Sequence, residues 1–255
     1  MLYYNDTKGG EDLVDIHAHI IPGVDDGSDS VEESLAMIRQ AYEGGTRSMV
    51  MTPHYLNKNQ CRFDVSKQQL ESFGKQLQQE CESQGIKVSL YQGAEHFGVT
   101  EIGRIADEGG IIPINNSRYV LIEFDFDDDF QRVSYVLSQL MQFHYIPIIA
   151  HPERYNFLFE NPSDAYGLLE KGCLLQVNKG SPLGKYGPQA QRLSKWLLDN
   201  HLVHFVASDC HSPYQRTPEM QQAHEMLTYR LGVWITTRNF KHNPLRVISN
   251  EVVTY

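Results

Sequence analysis

Residues 13–19 read Leu13-Val14-Asp15-Ile16-His17-Ala18-His19, and the chain then turns through Ile-Ile-Pro-Gly-Val-Asp-Asp to Gly27. A short β-branched run ending in histidine decides the fold, because the pattern returns along the chain. Further apolar runs fall at 48–52, 87–91, 119–123, 146–150, 174–177 and 203–207. Each has the length of a strand buried on both faces of a parallel sheet. Amphipathic stretches separate them. The stretch 31–43 follows Ser30, with Glu33 in capping-box register, and Gly44-Gly45 ends it. Leu70, Phe73 and Leu77 form an apolar stripe within 66–84, as do Val133, Val136, Leu137 and Leu140 further on. Helical patterns at 164–170, 189–198 and 219–231 complete the alternation. Seven β–α units with no break in composition predict one α/β domain.

A barrel is expected in preference to an open sheet because of where the polar residues fall. Strand after strand ends in an ionisable side chain: His17 and His19, His54, Glu95, Glu123, His151, Asp209 and His211. In parallel barrels the C-terminal strand ends share one face, and that face carries the chemistry. The first strand is not followed by a G-x-G-x-x-G turn, so dinucleotide binding lacks support.

The chain has 255 residues, with 22 basic against 32 acidic side chains and a net charge of −10. That balance argues against a nucleic-acid surface or an anionic-membrane binder. Cys61, Cys81, Cys173 and Cys210 show no CxxC spacing, so neither a disulfide framework nor a zinc ribbon is indicated. No signal-peptide pattern or membrane-spanning run is visible, and a cytoplasmic protein without membrane insertion is expected.

One H-x-H is a weak metal signal, and each of the other ionisable residues has an ordinary structural explanation. His54 or His151 could end a strand, Glu123 could pair with an arginine, and Asp209 could cap a helix. Their recurrence at successive strand ends is what those explanations leave out. Mixed imidazole and carboxylate donors suit manganese, iron or zinc. His96, His144, His201, His204, His224 and His242 fall outside the pattern and are read as surface or packing residues.

The segments DIHAHIIPGVDDGS, TPHY, GAE, IEF, AHPER and SDCH occur in that order from Asp15 to His211. In them the chain resembles the polymerase-and-histidinol-phosphatase (PHP) family, and within it the bacterial tyrosine phosphatases of capsule and exopolysaccharide loci. The resemblance implies a distorted seven-stranded (β/α)7 barrel spanning 14–255, with residues 1–13 as an extension. It implies three divalent ions, manganese by preference. The first would take His17, His19, Glu95 and Asp209. Glu95 would bridge to a second, also held by Glu123 and His151, and Asp26, His54 and His211 would hold the third. Asp25 is adjacent to Asp26, and the turn could present either. Arg154 and Arg216 would bind the phosphate, since arginine recognises it through a planar fork. The implied substrate is a phosphotyrosine protein, a bacterial tyrosine kinase controlling capsule or exopolysaccharide synthesis. Metal-activated hydroxide would attack phosphorus with no phosphoenzyme intermediate. With Asp26, Glu95, Glu123 and Asp209 on metal, an acidic composition is compatible with one phosphate in one pocket.

Cys210 to Thr217 also matches C-x5-R-[ST], the signature of cysteine-dependent tyrosine phosphatases. Pro213 removes a backbone donor from that loop, glycine is missing from it, and Asp209 discourages a thiolate. The match reads as coincidence. Other readings are a PHP enzyme acting on histidinol phosphate or nucleotides, an amidohydrolase, and a non-catalytic metal-binding regulator. An amidohydrolase would commonly use a modified lysine, for which Lys179 is the candidate at a strand end.

Overall fold

The computed structural model describes residues 12–253 apart from 58, 60 and 62–64. The expected extension, 1–13, lies outside the described residues but for Asp12 and Leu13, and Leu13 already opens the first strand. The described residues form nine strands: β1 (Leu13–Ala18), β2 (Thr46–Met51), β3 (His54–Tyr55), β4 (Ser89–Gln92), β5 (Glu95–Phe97), β6 (Tyr119–Glu123), β7 (Ile146–Ala150), β8 (Leu174–Asn178) and β9 (Phe205–Ala207). Between and after them run α1 (Val31–Glu43), α2 (Lys67–Ser83), α3 (Ile102–Asp107), α4 (Phe130–Met141), α5 (Asn156–Glu160), α6 (Asp164–Glu170), α7 (Gly187–Asp199), α8 (Gln221–Leu231), α9 (Val233–Thr237) and α10 (Asn243–Ile248). No helix among the described residues is long and apolar enough to cross a membrane.

The strands pair in parallel in two sheets, β1-β2-β4 and β3-β5-β6-β7-β8-β9. The α/β fold with parallel strands is as expected, while the distorted seven-stranded barrel is met as two sheets and not as one closed ladder. Two interruptions cause the difference. Pro53 has no N–H to give to a ladder, so the chain breaks between β2 and β3 at Thr52-Pro53. Gly93-Ala94 makes the matching break between β4 and β5, where a Cβ on Gly93 would stand 2.9 Å from Val50 Cγ1. Backbone bonds still cross both breaks, Gly93 N to the Met51 carbonyl and Glu95 N to the Pro53 carbonyl, each at 3.0 Å. At the far edge, β1 meets the chain leaving β9 through Asp209 N to the His17 carbonyl (2.8 Å) and His19 N to the Cys210 carbonyl (3.0 Å).

Strand alternation sorts the side chains. On β6, Tyr119 and Leu121 join an inner apolar cluster with Val14, Ile16, Ile148 and Phe205. Val120 and Ile122 face outward into the cluster built with α4, through Val133, Val136, Leu137 and Leu140. Glu123 ends the inner row of β6, and this is how a carboxylate comes to lie at the mouth. The opposite end of the inner cluster is covered by Val247 and Ile248 of α10. That helix and α3, α5 and α9 are absent from the sequence reading, being too short for a full amphipathic period.

The expected capping box is half formed. Ser30 accepts from Glu33 N at 3.2 Å, but the Glu33 carboxylate reaches past Ser30 to Asp29 N at 2.7 Å. A complete box stands at α2, where Ser66 and Gln69 satisfy each other's backbone.

Candidate metal centre

The expected ligands converge from β1 and the turn after it, from the first positions of β3 and β5, and from the ends of β6, β7 and β9. Glu95, at the first position of β5, sits at the centre. Its Oε1 lies 3.1 Å from His17 Nε2 and 3.1 Å from His151 Nε2. Its Oε2 lies 3.3 Å from His19 Nε2 and 3.1 Å from His54 Nδ1. Three overlapping groups of side chains could each hold an ion: His17, His19 and Glu95; His54, Glu95 and Glu123; and His19, Asp26, His54 and His211. Asp209 joins the first through Oδ1, 3.4 Å from His17 Nε2. His151 joins the second, 3.8 Å from Glu123 Oε2. The groups share His19 and His54, which the sequence assignment does not, and Asp209 and His151 lie beside them and not within them.

Backbone geometry aims these side chains. His151 follows β7 directly and Asp209 comes two residues after β9, and they adopt left-handed φ values of 35° and 50°. Such conformations cost free energy for a residue with a Cβ, and here they turn the side chain into the mouth at the point where the strand ends.

The ring nitrogens fit a metal better than they fit each other. His17 Nδ1 donates to Gln176 Oε1 at 2.8 Å, His19 Nδ1 to Asp25 Oδ2 at 2.8 Å, and His211 Nδ1 to the Asp209 carbonyl at 3.1 Å. Each bond fixes the tautomer whose Nε2 lone pair faces the cluster. In that tautomer the Nε2 lone pairs of His17 and His19 face each other at 3.1 Å. His54 Nδ1 and Nε2, Glu95 Oε2, His151 Nδ1 and His211 Nε2 are buried without an aligned hydrogen bond. Buried polar atoms are nearly always satisfied, and convergent orphaned donors of this kind suit a cation.

Burial separates Asp25 from Asp26. Asp25 is fully buried and supports the site from behind, accepting from His54 N at 2.9 Å and Gly27 N at 3.0 Å as well as from His19. Asp26 is half exposed and faces His54 Nε2 at 3.3 Å and His211 Nε2 at 3.4 Å. The turn is packed against the strand it follows. A Cβ on Gly27 would stand 2.3 Å from the His19 carbonyl oxygen and 2.5 Å from His19 Cβ. Gly27→Ala is therefore expected to destabilise the fold by about 1–3 kcal/mol and to weaken metal binding together with it. Urea denaturation and metal titration of the variant test this, and a wild-type midpoint would refute it.

Electrostatics follow from the same contacts. Burial works to raise the carboxyl of Glu95, and the His17 and His54 imidazoles outweigh it, holding Glu95 well below the usual range. Burial likewise opposes ionisation of Asp209, where Arg216 and His17 prevail. Both carboxylates are thus kept as anions inside the protein. Arg216 Nη2 lies 2.5 Å from Asp209 Oδ2, and its side chain is partly open to solvent. Arg154 leaves the turn after β7 and stacks on Phe126, with Cζ 4.4 Å from the ring centroid and 5.3 Å from that of Tyr186. Arg216 also interacts electrostatically with Tyr186, so the two expected phosphate-binding arginines lie about one tyrosine beside the cluster.

Cys210 has no place in this chemistry. Its thiol is fully buried and pushed up to about 12, chiefly by burial and then by Asp15. Lys179 is also taken, its Nζ donating to the Glu219 carbonyl. That bond engages the one lysine that the amidohydrolase reading names at a strand end. His96 and His204 prove to be packing residues that accept backbone protons from Ile112 and Leu175.

Sequence reasoning missed the supporting layer. β8 brings no ionisable ligand. Its Gln176 holds His17 and also donates to Asn178 Oδ1 at 2.9 Å, while Asn178 Nδ2 donates to Asp209 Oδ2. Tyr155 is buried and donates to the Ala150 carbonyl at 2.9 Å while accepting from Phe124 N at 3.1 Å, which ties the ends of β6 and β7. Gln176 and Asn178 sit two apart on a strand, and that spacing was the available signal.

The family described as capsular polysaccharide synthesis, CpsB/CapC, matches residues 13–249. The tyrosine-protein phosphatase YwqE of Bacillus subtilis is 34% identical over 86% of this chain and 85% of its own length. The tyrosine-protein phosphatase CpsB of Streptococcus pneumoniae is 29% identical over 94% of this chain and 100% of its own. A crystal structure from work on YwqE and CpsB as metal-dependent tyrosine phosphatases superposes with a TM-score of 0.88. It is 31% identical and covers 95% of this chain and 96% of that one. Extent, identity and fold agree, and the chain belongs to the CpsB/CapC family of capsular polysaccharide synthesis.

Proposed function

We propose that this protein is a metal-dependent protein-tyrosine phosphatase, which hydrolyses phosphotyrosine to tyrosine and inorganic phosphate. The observation that carries the reading is the convergence of orphaned imidazole and carboxylate atoms on Glu95, with Arg154 and Arg216 at its edge. The names of its relatives support the same activity. We take the two short breaks at Thr52-Pro53 and Gly93-Ala94 as distortions of single staves. On that count residues 14–255 form one seven-staved barrel.

His17, His19, Glu95 and Asp209 would hold one divalent ion, Glu95, Glu123 and His151 a second, and Asp26, His54 and His211 a third. Manganese is preferred, with iron and zinc as alternatives for such donors. Bound ions of this kind supply an activated water near neutral pH and draw charge from the phosphoryl oxygens. Arg154 and Arg216 bind those oxygens. Contact with Tyr186 restricts the Arg154 fork, and the Asp209 ion pair restricts Arg216, so little ordering remains for substrate binding to impose. Tyrosine has a pKa near ~10, so its departure needs less acid assistance than that of an alkyl alcohol. The substrate we infer is a tyrosine kinase acting in capsule or exopolysaccharide synthesis. The free thiols of all four cysteines fit a reducing, cytoplasmic compartment.

Phosphate release from a phosphotyrosine peptide, assayed beside histidinol phosphate and a nucleotide, tests the proposal. Activity is expected on the peptide, lost with EDTA, restored by manganese, and kept within about twofold in Cys210→Ser, because the thiol is protonated and inaccessible. Chelator-resistant turnover that vanishes in Cys210→Ser would restore the cysteine mechanism. Preference for a small phosphate would move the chain to another phosphoesterase class, and inertness on every substrate would favour a binding role.

A further inference from the structure

β6 ends in Glu123, and the next residues, Phe124-Asp125-Phe126-Asp127-Asp128-Asp129, carry the chain to α4. Phe124 is buried, whereas Phe126 stands in a run of acids with 39% of its surface open. An apolar ring among carboxylates neither fills a core nor solvates the loop. Its position is nonetheless fixed. The Phe126 carbonyl accepts from Asn156 N at 2.9 Å, and Asp128 N closes a turn onto the Asp125 carbonyl at 3.1 Å. Asp128 is held in turn by Arg132.

What the ring touches belongs to the site. Its centroid lies 6.2 Å from that of His151, nearly edge-on at 80°, and 4.4 Å from the Arg154 guanidinium carbon. A phosphate oxygen bound by a guanidinium lies about 2.8 Å from its nitrogen. The group esterified to that phosphate then begins within a few ångströms of Phe126. An aromatic group there falls in the range of about 4.5–7 Å between centroids at which rings attract each other.

We propose that Phe126, with Arg154 stacked on it, forms the subsite for the aromatic ring of the substrate and so makes the site selective for aryl phosphates. The inference rests on the phosphatase reading above and adds a residue that reads the leaving group and leaves the phosphate to others. Phe126 is a specificity residue. It contributes to binding of the ester and is dispensable for binding of phosphate itself.

The test uses the full chain loaded with manganese, as wild type, Phe126→Ala, Phe126→Leu and Phe126→Tyr. Two quantities are measured: kcat and KM for a phosphotyrosine peptide, and the competitive inhibition constant of inorganic phosphate, which has no ring. Phe126→Ala and Phe126→Leu are expected to raise KM roughly tenfold, the loss of one good aromatic contact, with little change in kcat. The phosphate constant stays within about twofold, and Phe126→Tyr restores the peptide KM. A parallel rise in both quantities would show that Phe126 only supports Arg154, and would overturn the inference. An unchanged KM in an otherwise active enzyme overturns it alone. A wild type that leaves the peptide untouched overturns the phosphatase reading and this inference with it.

Discussion

Glu95→Gln is expected to lower phosphotyrosine turnover by roughly a thousandfold, the equivalent of about 4 kcal/mol of lost charge stabilisation. The substitution keeps the shape of a fully buried side chain, so the fold is expected to survive. What changes is the centre of the cluster. The carboxylate presents Oε1 to His17 and His151 and Oε2 to His19 and His54. An amide has one acceptor oxygen, and its NH2 must face one of those imidazole pairs. The tautomers of His17 and His19 are fixed with lone pairs inward by Gln176 and Asp25, so the new donor would bond them and compete with a cation. Metal content per chain should fall with activity while circular dichroism and the thermal midpoint of the EDTA-treated protein stay close to wild type. Full metal content with activity within tenfold of wild type would show that Glu95 is not the bridge.

Much of this site was legible because the fold repeats. A parallel strand buried on both faces is a short apolar run, and its C-terminal end is where a polar residue breaks the run. Runs 119–123 and 146–150 therefore match β6 and β7 to the residue, and their ends give Glu123 and His151. The two-residue strand β3 was not legible, because His54-Tyr55 has no run to recognise. Nor was the division of the strands into two sheets, which depends on the missing N–H of Pro53 and the close approach at Gly93.

Among the site residues, ionisable side chains announce themselves and amides do not. Gln176 and Asn178 resemble any polar pair in a strand until the fold sets them against His17 and Asp209. Asp25 and Asp26 show the same limit. Side by side in sequence, they separate once the turn buries the first behind His19 and leaves the second facing His54 and His211. Pairing across the fold, set by backbone turns at Gly27, His151 and Asp209, is information that spacing does not contain.

In the proposed mechanism Arg216 joins phosphate binding to support of the metal site, and two substitutions are expected to separate them. Arg216→Ala should reduce kcat/KM for phosphotyrosine by roughly a thousandfold, and Arg216→Lys by roughly a hundredfold. One end of the guanidinium is bound to Asp209 Oδ2, while Nε is buried and has no protein partner. Alanine removes both functions. It leaves Asp209 short of a counter-charge that helps to hold the carboxyl ionised against burial, and so the penalty includes weaker metal binding. Lysine can keep the ion pair through one ammonium, but it has no second planar donor for a phosphate oxygen. Metal affinity in Arg216→Lys should therefore remain near wild type, with the loss appearing in kcat/KM and in weaker inhibition by inorganic phosphate. If Arg216 served Asp209 alone, lysine would rescue it in full. Wild-type catalysis in Arg216→Lys, set against a large loss in Arg216→Ala, is the result that would remove Arg216 from the phosphate site and leave Arg154 to bind the substrate there.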